Sequence, residues 1–382
     1  MKQFIYLDHS ATTPMDPEVF AAMEPFLKNE YGNPSAQYAL GHEARKAIDN
    51  ARSIVAGVLN CSLQEVIFTA GGTESDNLAI LGAAREFGAG KVVTTNIEHS
   101  AVLHTCEMLR EEGFTVEVVA VENNGILDVD VLKQAVDDST VLVSVMMANN
   151  EIGTIQPVAE AVQAVREKSD KALFHTDACQ APDALHIDVK KLGVDLLTIN
   201  GSKIYGPKGT GALYVKQGVK LKPIMYGGHQ EQALRPGTEN VAGIVGFAKA
   251  LELAQARRKQ DSKQMTALRD KLIDGILAAA DGAELNGDRD RRLPKNANIF
   301  LPGVDGEALL MYCDQEGIQV SLGSACSAGS VEPSHVLLAI GRSKTEARQS
   351  LRLTLGRTTT EQEIDTVLDI LPAIIKKVKA LT

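Results

Sequence analysis

Between about residues 60 and 215, short apolar runs alternate with amphipathic stretches, and this alternation constrains the fold more than any other feature of the chain. Residues 65–69, 91–95, 115–121, 141–147, 172–176 and 194–199 read as strands. Residues 74–87, 101–112, 129–136 and 158–168 carry the spacing of helices with one apolar face. Strands this apolar must be covered on both sides, and helices between them supply the cover. The pattern therefore predicts an α/β fold with a mostly parallel sheet. Beyond it, residues 241–280 read as one long helix with a polar stretch at 255–264, a common link between a large and a small domain. Shorter elements follow: a strand at 298–301, a helix at 306–316, a loop at 321–334, a strand at 351–354 and a closing helix at 360–380.

A chain of 382 residues exceeds one ordinary core, so two domains are expected. The net charge of −10 argues against a nucleic-acid partner, which calls for a basic surface. No N-terminal leader is evident, and no apolar run approaches the roughly 18–20 residues of a membrane span. A cytoplasmic protein is expected. The five cysteines are Cys61, Cys106, Cys179, Cys313 and Cys326. Their odd number and the lack of C-x-x-C spacing fit a reducing compartment and argue against disulfides or structural zinc.

In an open α/β sheet, ligands bind beyond the carboxyl ends of the strands, and here those ends are rich in chemistry. Gly71-Gly72-Thr73 joins the first strand to a helix. Glycines permit close backbone approach and the helix start favours a phosphate, although such a turn is often only a turn. His99 follows the second strand, placed to stack on a ring or move a proton, or simply to cap a helix. Asn149-Asn150-Glu151 follows a buried strand, as a ligand contact or an ordinary turn. Asp177 ends another strand, where a carboxylate needs a partner. A protonated pyridine nitrogen would serve, as would a metal or a salt bridge, and Gln180 is within reach of the same ligand. Asn200-Gly201-Ser202-Lys203 ends the last strand. Burial at such a place favours the neutral amine, the form that attacks an aldehyde. Lys208, between Pro207 and Gly209, suits a surface lysine better.

Taken in this order on one sheet, these elements match the fold-type I enzymes of pyridoxal 5′-phosphate (PLP). The likeness goes further. YLDHSATTP, YGNPSA, GGTESDNLAI, IEHSAVL, NNEIGTIQP, HTDACQ, SKIYGPKGTGALYV, RPGTEN, GSACSAGSVEPSHVL and LRLTLGRTTTEQEI together resemble the cysteine desulfurases of the class V aminotransferase group over nearly the whole chain. The resemblance implies a seven-stranded sheet in a large PLP-binding domain, residues 15–255. It implies a smaller α+β domain formed by residues 1–14 and 256–382. It makes Lys203 the lysine that carries PLP, Asp177 the partner of the ring nitrogen, and Gln180 a hydrogen-bond partner of the ring oxygen. His99 would stack on the ring and assist proton transfer. Gly72, Thr73, Asn200, Gly201 and Ser202 would hold the cofactor and its phosphate. Thr238 would reach the phosphate of a second subunit, so a homodimer is implied. Asn149, also beside the cofactor, and Arg352 would bind the carboxylate of L-cysteine.

Cys326, in a run of small residues, would be the nucleophile that takes sulfur as a persulfide, leaving L-alanine. A sulfur-acceptor protein such as an iron–sulfur scaffold would collect it for cluster assembly. No resident metal is implied, although Cys326 is left open as a shared iron–sulfur ligand. The chain departs from the family pattern at Ser202, where histidine is common, and at Cys179, where threonine is common. A selenocysteine lyase, a plain aminotransferase and a catalytically weak scaffold with the same fold are the competing expectations.

Overall fold

The computed structural model describes residues 4–322 and 332–381. In chain order the first half contains β1 (Ile5–Tyr6), α1 (Pro17–Lys28), α2 (Ala39–Leu59), β2 (Val66–Thr69), α3 (Gly72–Phe87), β3 (Lys91–Thr95), α4 (Ser100–Glu111), β4 (Thr115–Val119), α5 (Val129–Ala135), β5 (Thr140–Ser144), α6 (Val158–Arg166) and β6 (Leu173–Asp177). It continues with α7 (Val189–Leu192), β7 (Leu196–Asn200), β8 (Gly211–Val215), α8 (Val241–Ala279), β9 (Glu284–Leu285), β10 (Asn296–Phe300), α9 (Gly306–Gln315), β11 (Ile318–Gln319), α10 (His335–Ala339), α11 (Lys344–Arg348), β12 (Ser350–Thr354) and α12 (Glu361–Lys379).

Seven strands form the main sheet in the order β2-β8-β7-β6-β5-β3-β4, and all but β8 run the same way. Successive side chains of a strand point to opposite faces, and the two faces bury separate apolar groups. Phe68, Val93, Phe174 and Leu197 belong to one group, Ile67, Val92, Leu196 and Leu213 to the other. The expected mostly parallel sheet is thus present.

Helix starts are fixed locally. Asp128 accepts from the backbone N–H of Asp130 at 2.8 Å to open α5, and Thr360 and Glu363 form a reciprocal capping box at α12.

Several bounds differ from the sequence expectation. The strand expected at 141–147 stops at Ser144, although Val145 and Met147 still donate to the carbonyls of His175 and Asp177. Apolar composition ran on where strand geometry did not. β7 extends to Asn200, which places that side chain at the sheet edge. The helices α1 and α2 and the antiparallel strand β8 were not marked by the alternation.

A third apolar group joins Leu7 to residues between Leu268 and Val378 on α8, β10, α9, β12 and α12. β1 pairs in parallel with β11, so the chain's beginning is stitched to its last third. The 39-residue α8 buries Phe247 and Leu251 against the main sheet's core and Leu272 and Ile276 in this third group. Lys295 adds a buried tie, its ammonium 2.7 and 2.8 Å from the Asp183 carboxylate with only 1% of its side chain exposed. Removing one partner of such a pair strands the other charge. Lys295→Ala is expected to cost about 3 kcal/mol, measured as a lower urea midpoint. A midpoint equal to wild type would show that Asp183 has another route to compensation.

Candidate active site

Because β2, β3, β5, β6 and β7 share one direction, their carboxyl ends lie along one edge of the sheet. The strand-end residues singled out in the sequence are therefore neighbours in space. Gly72 opens α3, and a Cβ built on it would lie 2.7 Å from Cys179 Sγ and 3.3 Å from Asn200 Nδ2. Three strand ends converge there, and only a glycine fits. Glu74, in the same first turn, accepts from Ala70 N at 3.2 Å and pairs with Arg235 at 3.0 Å. That pairing offsets its charge where the helix would otherwise welcome an anion. It also ties the turn to the loop that carries Thr238. Thr238 itself is exposed, and among the described residues no hydrogen bond or ion pair joins it to Lys203 or Gly72.

His99 is the cap of α4: its Nδ1 accepts from Ala101 N at 3.1 Å. An accepting Nδ1 carries no proton, so the neutral ring holds its proton on Nε2. Asn149 is fully buried, and both ends of its amide serve its own turn. Nδ2 donates to Ile97 O at 2.8 Å, and Oδ1 accepts from Glu151 N and Ile152 N at 2.8 and 3.0 Å. The turn in turn presents Asn150 O to Arg352 Nη1 at 3.1 Å.

Asp177 accepts from Cys179 N at 2.8 Å and sits among other buried acids. Burial, then the charge of Asp177, pushes the Asp76 carboxyl well above its ordinary range. Burial likewise raises Glu98 to about 8. His175, 3.6 Å from Asp76, is lowered by burial to about 4 and is neutral. Gln180 donates to Ser10 O at 3.0 Å, while its Oε1 is buried and, among the described residues, unpartnered. Asn200 Oδ1 and Thr176 Oγ1 are in the same condition. Lys203 is half-buried and donates to Ala11 O. Two residues on, Tyr205 takes the left-handed conformation (φ 64°) and is held there by Thr13 Oγ1 at 2.8 Å. Strain of this kind persists where the surroundings over-determine it.

Sequence reasoning gave no role to residues 8–13, yet this segment touches most of the site. Asp8 pairs with Arg352 at 2.8 Å, Ser10 O meets Gln180, and Ala11 O meets Lys203. Thr13 donates to Ser202 O from its N–H at 2.9 Å and its hydroxyl at 3.1 Å. A cavity of about 390 Å³ opens beside the segment, lined in part by Tyr6, His9, Thr12 and Thr13. The available signal was a polar run immediately after a two-residue strand.

These residues fit a small phosphorylated aldehyde with a ring nitrogen. The glycine cradle and helix start suit the phosphate, the strand-end amine suits the aldehyde, and the buried Asp177 carboxylate suits a protonated nitrogen. Among the described residues, the buried oxygens of Gln180 and Asn200 meet no donor. Cys326, the expected nucleophile, lies outside the described residues. The other four cysteines are not thiolates at neutral pH. Burial pushes Cys61, Cys106 and Cys313 up to about 12, and Cys179 well above its ordinary value. Among the described residues no cluster of His, Cys, Asp and Glu could hold a metal ion. No helix there is long and apolar enough to cross a membrane.

Two predictions follow from this packing. Gly72→Ala is expected to destabilise by about 1–3 kcal/mol through overpacking, and Cys179→Ala to relieve it. A double-mutant cycle on thermal unfolding checks this, and additivity of the two changes would refute the contact. Glu98 keeps its proton in the folded state up to about pH 8, whereas the unfolded chain releases it near 4.5. The folded state binds more protons in that window, so this group makes stability fall as pH rises through it. Glu98→Gln is expected to flatten that decline in urea midpoints.

Comparison with known proteins agrees with the geometry. The aminotransferase class-V family model matches residues 5–367. A cysteine desulfurase IscS of Clostridium botulinum is 47% identical over 381 residues, covering 99% of this chain and 96% of that protein. One from Methanosarcina thermophila is 45% identical, covering 99% and 93%. Among solved structures, a NifS-like protein superposes with a TM-score of 0.93 at 36% identity, covering 98% of this chain and all of that one. SspA in complex with cysteine gives a TM-score of 0.81 at 34% identity, covering 93% and 100%. On sequence, fold and the arrangement of its strand-end residues, the chain belongs to the aminotransferase class-V family.

Proposed function

We infer that this protein is a PLP-dependent cysteine desulfurase. It would convert L-cysteine to L-alanine and pass the sulfur, as a persulfide on Cys326, to an acceptor protein. The observation that carries the reading is the shared sheet edge on which Lys203, Asp177, Gln180, His99 and the Gly72 cradle meet. Whole-length relatives that are cysteine desulfurases support it, as does the cysteine bound to the similar SspA.

Lys203 would hold PLP, with Gly72, Thr73, Gly201 and Ser202 at its phosphate, Asp177 at its ring nitrogen, and Gln180 and Asn200 at its polar edge. When bound, the cofactor supplies an anchor for the substrate amine and a sink for the charge released at the substrate's α-carbon. Lys203, once released, is the base that moves the α-proton. His99 offers Nε2–H to the same space. Arg352 grips the substrate carboxylate, and Asn149 acts through the turn whose Asn150 carbonyl holds that arginine.

The Cys326 thiolate then attacks the substrate sulfur. The new S–S bond forms as the C–S bond breaks, its electron pair stays with carbon, and protonation there yields alanine. The described flanks of the Cys326 segment are fixed on site elements. Ser321 exchanges backbone hydrogen bonds with Arg352 at 2.7 and 3.1 Å, and His335 Nε2 bonds Glu98 O at 2.9 Å. With the other four thiols held neutral, Cys326 is the cysteine left for this role.

An exposed Thr238, on the loop tethered to the phosphate turn through Arg235 and Glu74, suits contact with a second copy, so the active form would be a homodimer. An iron–sulfur scaffold is the acceptor that the family resemblance implies.

Lys203→Ala is expected to lose the visible absorption of the purified protein. Cys326→Ser is expected to keep it and to lose sulfide release from cysteine by at least about 100-fold. Sulfide release by the serine variant at the wild-type rate would refute the mechanism.

A further inference from the structure

The Arg352 guanidinium is already engaged by a carboxylate of the chain itself. Its Nη2 lies 2.8 Å from Asp8 Oδ1, and Nη1 donates to Asn150 O at 3.1 Å. Only 1% of the Arg352 side chain is exposed, against 20% for Asp8, so the pair is open to solvent from the Asp8 side. The backbone of Asp8 cannot move aside. It is bridged to Thr354, its carbonyl accepts from Tyr6 Oη at 3.1 Å, and the adjoining His9 N–H bonds Thr354 O at 3.2 Å. Its side chain, however, has rotamers that leave Arg352.

We propose that Asp8 is an internal occupant of the substrate-carboxylate position: its side chain holds Arg352 until the carboxylate of an incoming amino acid replaces it. This rests on Arg352 being the carboxylate clamp of the desulfurase reading. The exchange is one anion for another at a buried cation, so Arg352 is never stripped of counter-charge. It also selects ligands. An amine or thiol without a carboxylate has nothing to offer Arg352 in return for Asp8, so such compounds are excluded at the cost of weaker binding of cysteine itself. The surroundings of Asp8 ease the release. Burial pushes its carboxyl up, against the opposing effects of Arg352 and Lys203, while Tyr6 beside it is pushed up to about 12 by burial and then by Asp8. The charged form of Asp8 is thus less favoured at this position than in water, which weakens its hold on the clamp. Asp8 is on this account a specificity-determining residue that touches the clamp rather than the reacting atoms.

The test is Asp8→Asn, which keeps the shape and removes the charge, with Asp8→Glu as the variant that keeps the carboxylate. The KM for cysteine is expected to fall about tenfold in Asp8→Asn, with kcat within about twofold and Asp8→Glu near wild type. A second readout needs no turnover. Propionate is expected to raise the thermal midpoint of full-length Asp8→Asn, and to leave wild type and Asp8→Glu unmoved at the same concentration. An Asp8→Asn enzyme with an unchanged or raised KM overturns the proposal, as does equal propionate stabilisation of all three proteins. Should the wild type release no sulfide from cysteine, the desulfurase reading fails, while the propionate measurement still decides whether Asp8 and an external carboxylate compete.

Discussion

A charge taken out of water must be given a partner, and this structure gathers several such charges at one sheet edge. Asp177 lies among acids whose carboxyls burial pushes up and a histidine that burial pushes down. Arg352 and Lys203 are met by Asp8 and the Ala11 carbonyl from a single short segment. The parallel sheet causes this crowding, because strands of one direction deliver their terminal polar residues to one place. Among the described residues, Gln180 and Asn200 are left with buried oxygens that lack a donor, beside a turn at Gly72 with room for no side chain.

Much of this was legible in the sequence, for a physical reason. Apolar strands announce where they end, so Lys203, Asp177 and Gly72 stood out as polar or glycine residues in places where an apolar one is expected. The two faces of the sheet followed from the same alternation. Its limits were physical as well. Residues 145–147 continued the apolar run of β5 while leaving its geometry, since hydrophobicity reports burial and not backbone angles. β8 escaped notice because an antiparallel strand inserted by a Gly-Pro turn breaks the strand–helix rhythm. Helices α1 and α2 precede the alternation and pack on α8, a partner two hundred residues away.

The site residues divide in the same manner. Those at strand ends could be named from the sequence; Asp8, which depends on a distant backbone, could not. The sequence left Asn149 open between a ligand contact and an ordinary turn, and in the fold its amide is hydrogen-bonded within a turn that presents Asn150 O to Arg352. His99 was open between cap and proton carrier, and the cap is what fixes which nitrogen bears the proton. Asp8 gave no signal by periodicity. Its meaning depends on β1 pairing with β11 and on a bridge to Thr354, contacts between the two ends of the chain.

That pairing has a consequence for how the protein is made. The segment that meets Lys203, Gln180 and Arg352 leaves the ribosome well before the strands that receive it. During synthesis the sheet can form while residues 5–13 wait without partners, since long-range pairings come late in folding. The pocket is closed by an early segment only after a much later one has arrived, so a nascent chain cut short before β12 would carry its lysine but no finished site around it.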